Sequence, residues 1–357
     1  MAIGQYIRSA EGSARLSVSD GLEGFLAAQN ITIAATSYQS GRLYLLGRHP
    51  DGGLVLSEEF FPRAMGLHAS GNDLHIVSDG QVLHLSSEQS QGSVGKTYIP
   101  AEIHPIGEVN AHDLTLTNDG QIIFVNTLYN CLATPDDHKG FTPVWTPPFL
   151  NGAQKGDRCH LNGLAIENAQ SAFVSGMART CRVNGWRRHR NDGGFVMEVQ
   201  TNQVICDGLS MPHSPRIHDG VLWICNSGTG ELGVVDRDSR TFIPLAFCPG
   251  FIRGLTFHGR FAFVGLSRPR HARFDGLALH DTLTDKGIEP WTGVQIIDTQ
   301  TGQTIGWVRL EGPVTELYDL AILPETAFAI ADGVGPTTFD ARSSQSDMAP
   351  AFAISAQ

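Results

Sequence analysis

The chain has 357 residues, with 40 Gly, 18 Pro, only 17% charged side chains and a formal net charge of −11. That acid excess excludes a nucleic-acid surface, which needs a basic face to meet phosphate, and no apolar run reaches the length of a membrane span. The length suits one large closed β architecture, and the Gly and Pro content suits many short strands joined by tight turns.

Residues 1–21 read as a polar N-terminal segment without the apolar run of a signal peptide. The six cysteines (Cys131, Cys159, Cys181, Cys206, Cys225 and Cys248) show no CxxC pair, and several lie in apolar strand runs where a thiol acts as a small core residue. A reducing, cytoplasmic setting is the expectation. Residues 22–29 form the only persuasive helical pattern. Strands then follow at 31–36, 42–47 and 54–60.

From there the chain repeats. Six runs, at 63–67, 110–114, 160–164, 213–217, 251–255 and 316–320, each place unusual polar residues just ahead of an apolar anchor. The anchors Leu67, Leu114, Leu164, Ile217, Leu255 and Leu320 are 47, 50, 53, 38 and 65 residues apart. That is the period of a four-stranded propeller blade. The clearest blade runs from Arg216 through the turn His218-Asp219-Gly220 to strands at 221–225, 231–236 and 241–248. After Leu320 only one or two strands remain, so the last blade must be closed by strands from both termini. The expectation is an all-β, six-bladed β-propeller over 22–332, with seven blades the alternative, followed by a loosely structured tail over 333–357.

Segments 128–139, 178–193 and 267–290 read as long loops, all between the second and third strands of a blade. Strands alternate in direction, so those loops share the end of the bore at which the first strands begin. Two of them carry arginines: Arg179, Arg182, Arg187, Arg188 and Arg190, then Arg268, Arg270 and Arg273.

Aligned on the anchors, the runs give two rings. Arg63, Asn110, His160, His213, Phe251 and Glu316 stand four places before the anchor; Met65, His112, Asn162, Pro215, Arg253 and Tyr318 stand two before it. Residues two apart in a strand share a face, so both rings can line the bore. Imidazole nitrogen with carboxylate oxygen is the donor set of a divalent transition metal such as Fe, Zn, Cu or Mn. His112, His160 and His213 are therefore the expected metal ligands, with Glu316 a fourth ligand or a general base and Tyr318 a proton donor. Arg63 and Arg253, with Asn110 and Asn162, are the expected substrate-binding residues, the arginines gripping an anion. Asp113 and Asp319 are candidates for orienting the imidazoles. The G-x-G-x-x-G at 228–233 lies in a hairpin rather than before a helix, so it is no phosphate cradle. Cys159 and His160, adjacent in one extended run, face opposite ways and make no nucleophilic pair.

Met211-Pro212-His213-Ser214-Pro215-Arg216, Asn226-Ser227-Gly228-Thr229-Gly230-Glu231, Cys248-Pro249-Gly250-Phe251 with Arg253-Gly254-Leu255, and Val264-Gly265-Leu266-Ser267-Arg268-Pro269-Arg270 carry a resemblance. On these motifs the chain, from about Phe25 to about Pro324, resembles a bacterial family of unknown function. The resemblance implies a propeller-like domain and no particular activity. More weakly, the chain is similar to six-bladed gluconolactonase and paraoxonase propellers, whose Glu, Asn and Asp residues hold a divalent cation, usually calcium. Glu316 and Asn110 fit that pattern, whereas His160 and His213 stand where oxygen ligands are expected. That makes Ca²⁺ the less favoured ion.

The function expected from these residues is a metal-dependent enzyme acting on a small anionic metabolite by hydrolysis, elimination or oxidation. The alternative is a non-catalytic propeller that binds a small ligand or a protein partner through its loop-rich face.

Overall fold

Two-residue turns set much of the strand register. Asp79-Gly80 has φ of 44° and 77°, and Asp219-Gly220 has 50° and 74°. Positive φ at both positions is what a type I′ hairpin requires. These turns join Asp73–Ser78 to Gln81–Gln89 and Pro212–His218 to Val221–Asn226. The computed structural model describes residues 14–49, 51–89, 95–168, 170–270 and 273–333.

Hairpin after hairpin, the chain builds six antiparallel sheets arranged in a ring, five of them on four consecutive strands. Blade one runs from Leu67–Ser70 to Lys96–Pro105, blade two from Ala111–Leu116 to Gly140–Trp145, and blade three from Leu161–Glu167 to Val204–Leu209. Blade four runs from Pro212–His218 to Thr241–Phe247 and blade five from Phe251–His258 to Thr304–Glu311. Blade six is composite, as expected: its innermost strand, Leu320–Pro324, pairs antiparallel with Ile31–Ser37, which continues to Arg42–Arg48 and Leu54–Phe60. The ring is thereby closed by backbone hydrogen bonds between residues about 290 apart in sequence, such as Ala35 opposite Leu320.

Two outer edges carry a fifth strand. Ala329–Ala331 pairs parallel with Lys96–Pro105 of blade one rather than joining blade six. Arg15–Val18 pairs with the last strand of blade five, so the end of the expected polar segment is ordered β structure. The remaining tail, 334–357, lies outside the described residues.

The helix Leu22–Gln29 forms where expected, with Leu22 and Leu26 buried between blades five and six and Phe25 edge-on to Phe261 at 5.0 Å. A second helix, Ala278–Lys286, was not legible: its apolar residues Leu279 and Leu283 are one turn apart and too few to show a period. The expected loop at 128–139 is also corrected. It contains the third strand of blade two, Cys131–Asp136, whose Thr and Pro residues disguise it. The long connection there follows the fourth strand instead, over residues 146–160.

Each gap between neighbouring blades is filled by its own apolar cluster, and burying one Leu, Ile or Phe side chain contributes about 1.5–3 kcal/mol. Buried hydroxyls and one amide tie neighbouring blades at five of the six junctions. Thr36 donates to Met65 O, Thr127 to Leu161 O, Ser227 to Ile252 O and Ser267 to Leu317 O, while Asn162 donates to Pro212 O.

The residue just before each anchor alternates: Gly66, Asp113, Gly163, Arg216, Gly254, Asp319. Arg216 lies across the axis and pairs with Asp113 at 2.7 Å and Asp319 at 3.4 Å, each 103 residues away. Asp113 also accepts the amides of Leu114 and Leu164, and Asp319 those of Leu67 and Leu320. The glycines make room. A Cβ on Gly66 would stand 3.0 Å from the Asp113 backbone, and one on Gly254 2.9 Å from that of Asp319. This ionic plug floors the mouth of the bore.

Candidate active site at the mouth of the bore

The backbone just above the plug is bent. Arg63, Asn110 and His160, each four places before its anchor, have φ of 53°, 50° and 50°, and Met211 has 48°. A left-handed non-glycine residue costs on the order of 1 kcal/mol and is retained where the surroundings impose it. The bends end the incoming connection and turn the chain into the first strand, so that the following residues face the bore.

His112 lies deep in the protein and is partly exposed. Its Nδ1 is 2.8 Å from Asn110 O and 2.8 Å from Thr127 Oγ1. The carbonyl can only accept, and the Thr127 proton is already committed to Leu161 O, so Nδ1 carries the hydrogen. His213 repeats the arrangement with Met211 O and Ser227 Oγ, both at 2.9 Å. His160 donates from Nδ1 to Asp157 Oδ2 at 2.6 Å. All three rings therefore keep Nε2 as the acceptor. His112 and His160 meet edge to face with centroids 4.9 Å apart, and Tyr318 lies 5.6 Å beyond His112.

Burial, with His160 and Arg253 nearby, drives the His112 pKa down to about 3. Burial and Arg253 hold that of His213 well below the ordinary value. Both are neutral at physiological pH.

Glu316 is 1% exposed, and its Oε2 accepts from Arg253 at 2.8 Å and from Arg270 at 2.6 Å. Burial works against its ionisation, but the two guanidiniums outweigh that and lower its pKa. Arg253 also lies 4.8 Å above the Tyr318 ring. Burial raises the Tyr318 pKa well above 10, so the phenol stays protonated. Glu316 Oε1, Tyr318 Oη and Arg253 Nε are buried without hydrogen-bond partners among the described residues.

Two loops complete the mouth, both second-to-third strand connections as expected. Residues 178–193 carry the 3₁₀ turn Gly185–His189, which sets Trp186 against His160 with centroids 4.2 Å apart and its indole N–H 2.9 Å from Asp157 Oδ2. The other, between Phe261–Ser267 and Gly293–Asp298, sends Arg270 to Glu316 and docks its helix on blade four through the bond from Leu279 N to Gly228 O.

A family profile described as "Domain of unknown function (DUF4915)" matches residues 20–331. The chain belongs to that family. No curated protein matches it at a significant level. Among solved structures, the DUF4915 chain is similar to one in the Nidogen/Laminin complex, with 9% identity, a TM-score of 0.52 and coverage of 83% of this chain and 99% of that one. It also matches a streptogramin B lyase structure (13% identity, TM-score 0.40, 78% and 76% covered) and the computationally designed Ika8 protein (13%, 0.40, 90% and 96%). At 9% identity the first likeness speaks only to the fold, and at TM-scores of 0.40 the other two carry no argument.

The DUF4915 mouth brings together His112, His160, Tyr318, Arg253 and Glu316, but it revises several expected roles. His213 is the counterpart of His112, not of His160. Pro212 pairs with Asn226 as Ala111 pairs with Asn126, and Ile217 pairs with Leu222 where Leu116, not Leu114, pairs with Ile122, so the blade-four anchor stands two residues late. Asn162 braces blade three, accepting from Ser175 and donating to Pro212 O. Asp113 and Asp319 orient no imidazole; they belong to the plug. Arg63 and Asn110 line a small hollow with Asp79 and Glu108. Among the described residues, no group of three or more His, Cys, Asp or Glu side chains is placed to hold one metal ion. Nor, among those residues, is any helix long and apolar enough to cross a membrane.

The sequence assigns no role to Asp157, Trp186 or Arg216, and Arg270 figures in it only among the loop arginines at the mouth. Asp157 stands three places before His160, an Asp-x-x-His spacing that could have been noticed. Trp186 and Arg270 reach the site only through loop paths that no periodicity reports.

Proposed function

We propose that this propeller is an enzyme that takes a small polar anion at the mouth of its bore. The observation that carries the reading is the convergence of Arg253 and Arg270 on Glu316, beside a protonated phenol and neutral imidazoles. Arg253, whose Nε has no hydrogen-bond partner among the described residues, offers a cationic donor to a carboxylate, phosphate or sulfonate. Among the described residues Tyr318 Oη and Arg253 Nε have no partner, and a buried unsatisfied polar group costs about 1–3 kcal/mol that an anion accepting from both would relieve. Six unpaired thiols suit a reducing, cytoplasmic setting.

A thermal-shift screen of small carboxylates, phosphates and sulfonates tests this. A ligand at a hundred times its Kd stabilises by about 2.7 kcal/mol, and the shift is expected to disappear in Arg253→Met. If no anion shifts the parent protein, the reading is wrong, and a search for protein partners of the loop-rich face takes its place.

A second reading rests on the tautomers. Three imidazoles that keep Nε2 as acceptor offer the form a transition metal takes, with Nδ1 held by oxygen acceptors. His112, His160 and His213 would hold the ion, which would supply Lewis acidity, and the rings would have to close on one point to do so. Elemental analysis of untagged protein is expected to give near-stoichiometric metal that falls in His160→Ala. Metal content unchanged by that substitution in folded protein rejects the reading.

A further inference from the structure

We infer that His160 is a general base, with Asp157 as its positioning residue. The inference rests on the enzymatic reading of the mouth and specifies its chemistry.

Asp157 arrives on the connection over 146–160 and is held from three sides. Its Oδ1 accepts the His160 amide at 3.0 Å, and its Oδ2 accepts both His160 Nδ1 at 2.6 Å and the Trp186 indole at 2.9 Å. His160 is itself 6% exposed and sandwiched between Trp186 and the edge of His112. Its ring thus has one orientation and one tautomer, with Nε2 basic and Nδ1 facing an anion. His112 and His213 have the same tautomer but only neutral oxygen partners, so neither gains the charge-assisted support that stabilises an imidazolium. Of the three rings, only His160 is built to accept a proton.

The step balances within the site. His160 Nε2 takes a proton from a substrate C–H or O–H, or from a bound water, while Nδ1 keeps its own. The imidazolium is then paired with Asp157. The electron pair remains on the substrate or on the water oxygen, and negative charge that develops on a substrate oxygen falls toward Tyr318 and Arg253 across His112. The proton later returns from Nε2 to the product or leaving group. Substrates with an acidic position near a carboxylate or carbonyl group fit this arrangement.

Nitrogen-15 spectra of histidine-labelled full-length protein test the inference without a substrate. The His160 ring is expected to carry its hydrogen on Nδ1, with a strongly downfield proton that Asp157→Asn removes. Diethyl pyrocarbonate, which acylates neutral imidazole nitrogen, provides a second readout. His160→Gln identifies the modified site, Trp186→Ala is expected to speed the reaction, and Asp157→Asn to slow it at least about tenfold. A hydrogen on Nε2 of His160 in the parent protein overturns the inference whether or not the variants fold, as does an unchanged rate in folded Asp157→Asn. Anion binding combined with the wrong tautomer removes only the base. The expected tautomer and reactivity without any anion binding remove only the anion site.

Discussion

Replacing Arg216 by methionine is expected to cost about 3–5 kcal/mol, the usual penalty when a buried ion-paired group loses its partner, and to lower the melting temperature by roughly 5–8 °C. Methionine retains the aliphatic stem, so the loss reports the charge rather than the packing. Without the guanidinium, Asp113 and Asp319 face each other on the axis, each already committed to two backbone amides from different blades. Burial and Asp113 raise the Asp319 pKa to about 7 even with Arg216 present. A folded pKa above the unfolded one gives stability that is full below about pH 4 and lost as pH rises through about 7. Removing the cation strengthens that trend, so the deficit of Arg216→Met against the parent should be larger at pH 8 than at pH 5. Melts at the two pH values decide it. A variant within a degree or two of the parent at pH 8 would show that the plug contributes nothing.

Propeller closure was legible because each blade repeats an apolar anchor preceded by polar residues, and that period survives loops of any length. The turn at Asp219-Gly220 and the sharing of blade six between the termini follow from local rules and from counting strands. The site was legible only where it sits on that period: His112, His160, Arg253, Glu316 and Tyr318. A fixed offset puts His213 in the other ring because its anchor Ile217 pairs with Leu222 in the place that Leu116, not Leu114, takes in blade two. Asp113 and Asp319 were misassigned because an aspartate beside a histidine suggests ring orientation, whereas the alternation with Gly66, Gly163 and Gly254 points to the axis. Nothing local ties Arg216 to partners 103 residues away on either side. Glu316 looked like a free base in sequence; its arginines come from a neighbouring blade and a loop.

Acid should unfold this protein unusually early, with stability lost between about pH 6.5 and pH 4. Four histidines account for this. Besides His112 and His213 at the mouth, His68 and His75 lie in register across blade one, and His75 stacks on His84 at 4.5 Å. Burial first, then Arg216, lowers the His68 pKa to about 4; burial first, then His84 and His68, lowers that of His75 to about 4. A folded pKa below the unfolded one means that the unfolded chain binds more protons in this window. The contribution is therefore whole above about pH 6.5 and disappears as pH falls toward 4. A ring whose proton affinity falls about a hundredfold on folding contributes about 3 kcal/mol. Allowing for the solvent that reaches His68 and His75, this pair alone removes on the order of 3 kcal/mol, a large part of the roughly 5–15 kcal/mol that holds a domain together. Asp319 works in the opposite direction over nearly the same range, but it is one group against four. His75→Phe separates the contributions: it removes a titrating ring whose Nδ1 is buried without a partner among the described residues, keeps the stacking surface, and should shift the acid transition to lower pH while changing the melt at pH 8 little. A parent melting temperature that stays flat from pH 7 to pH 4.5 would mean that these rings already reach water in the folded state.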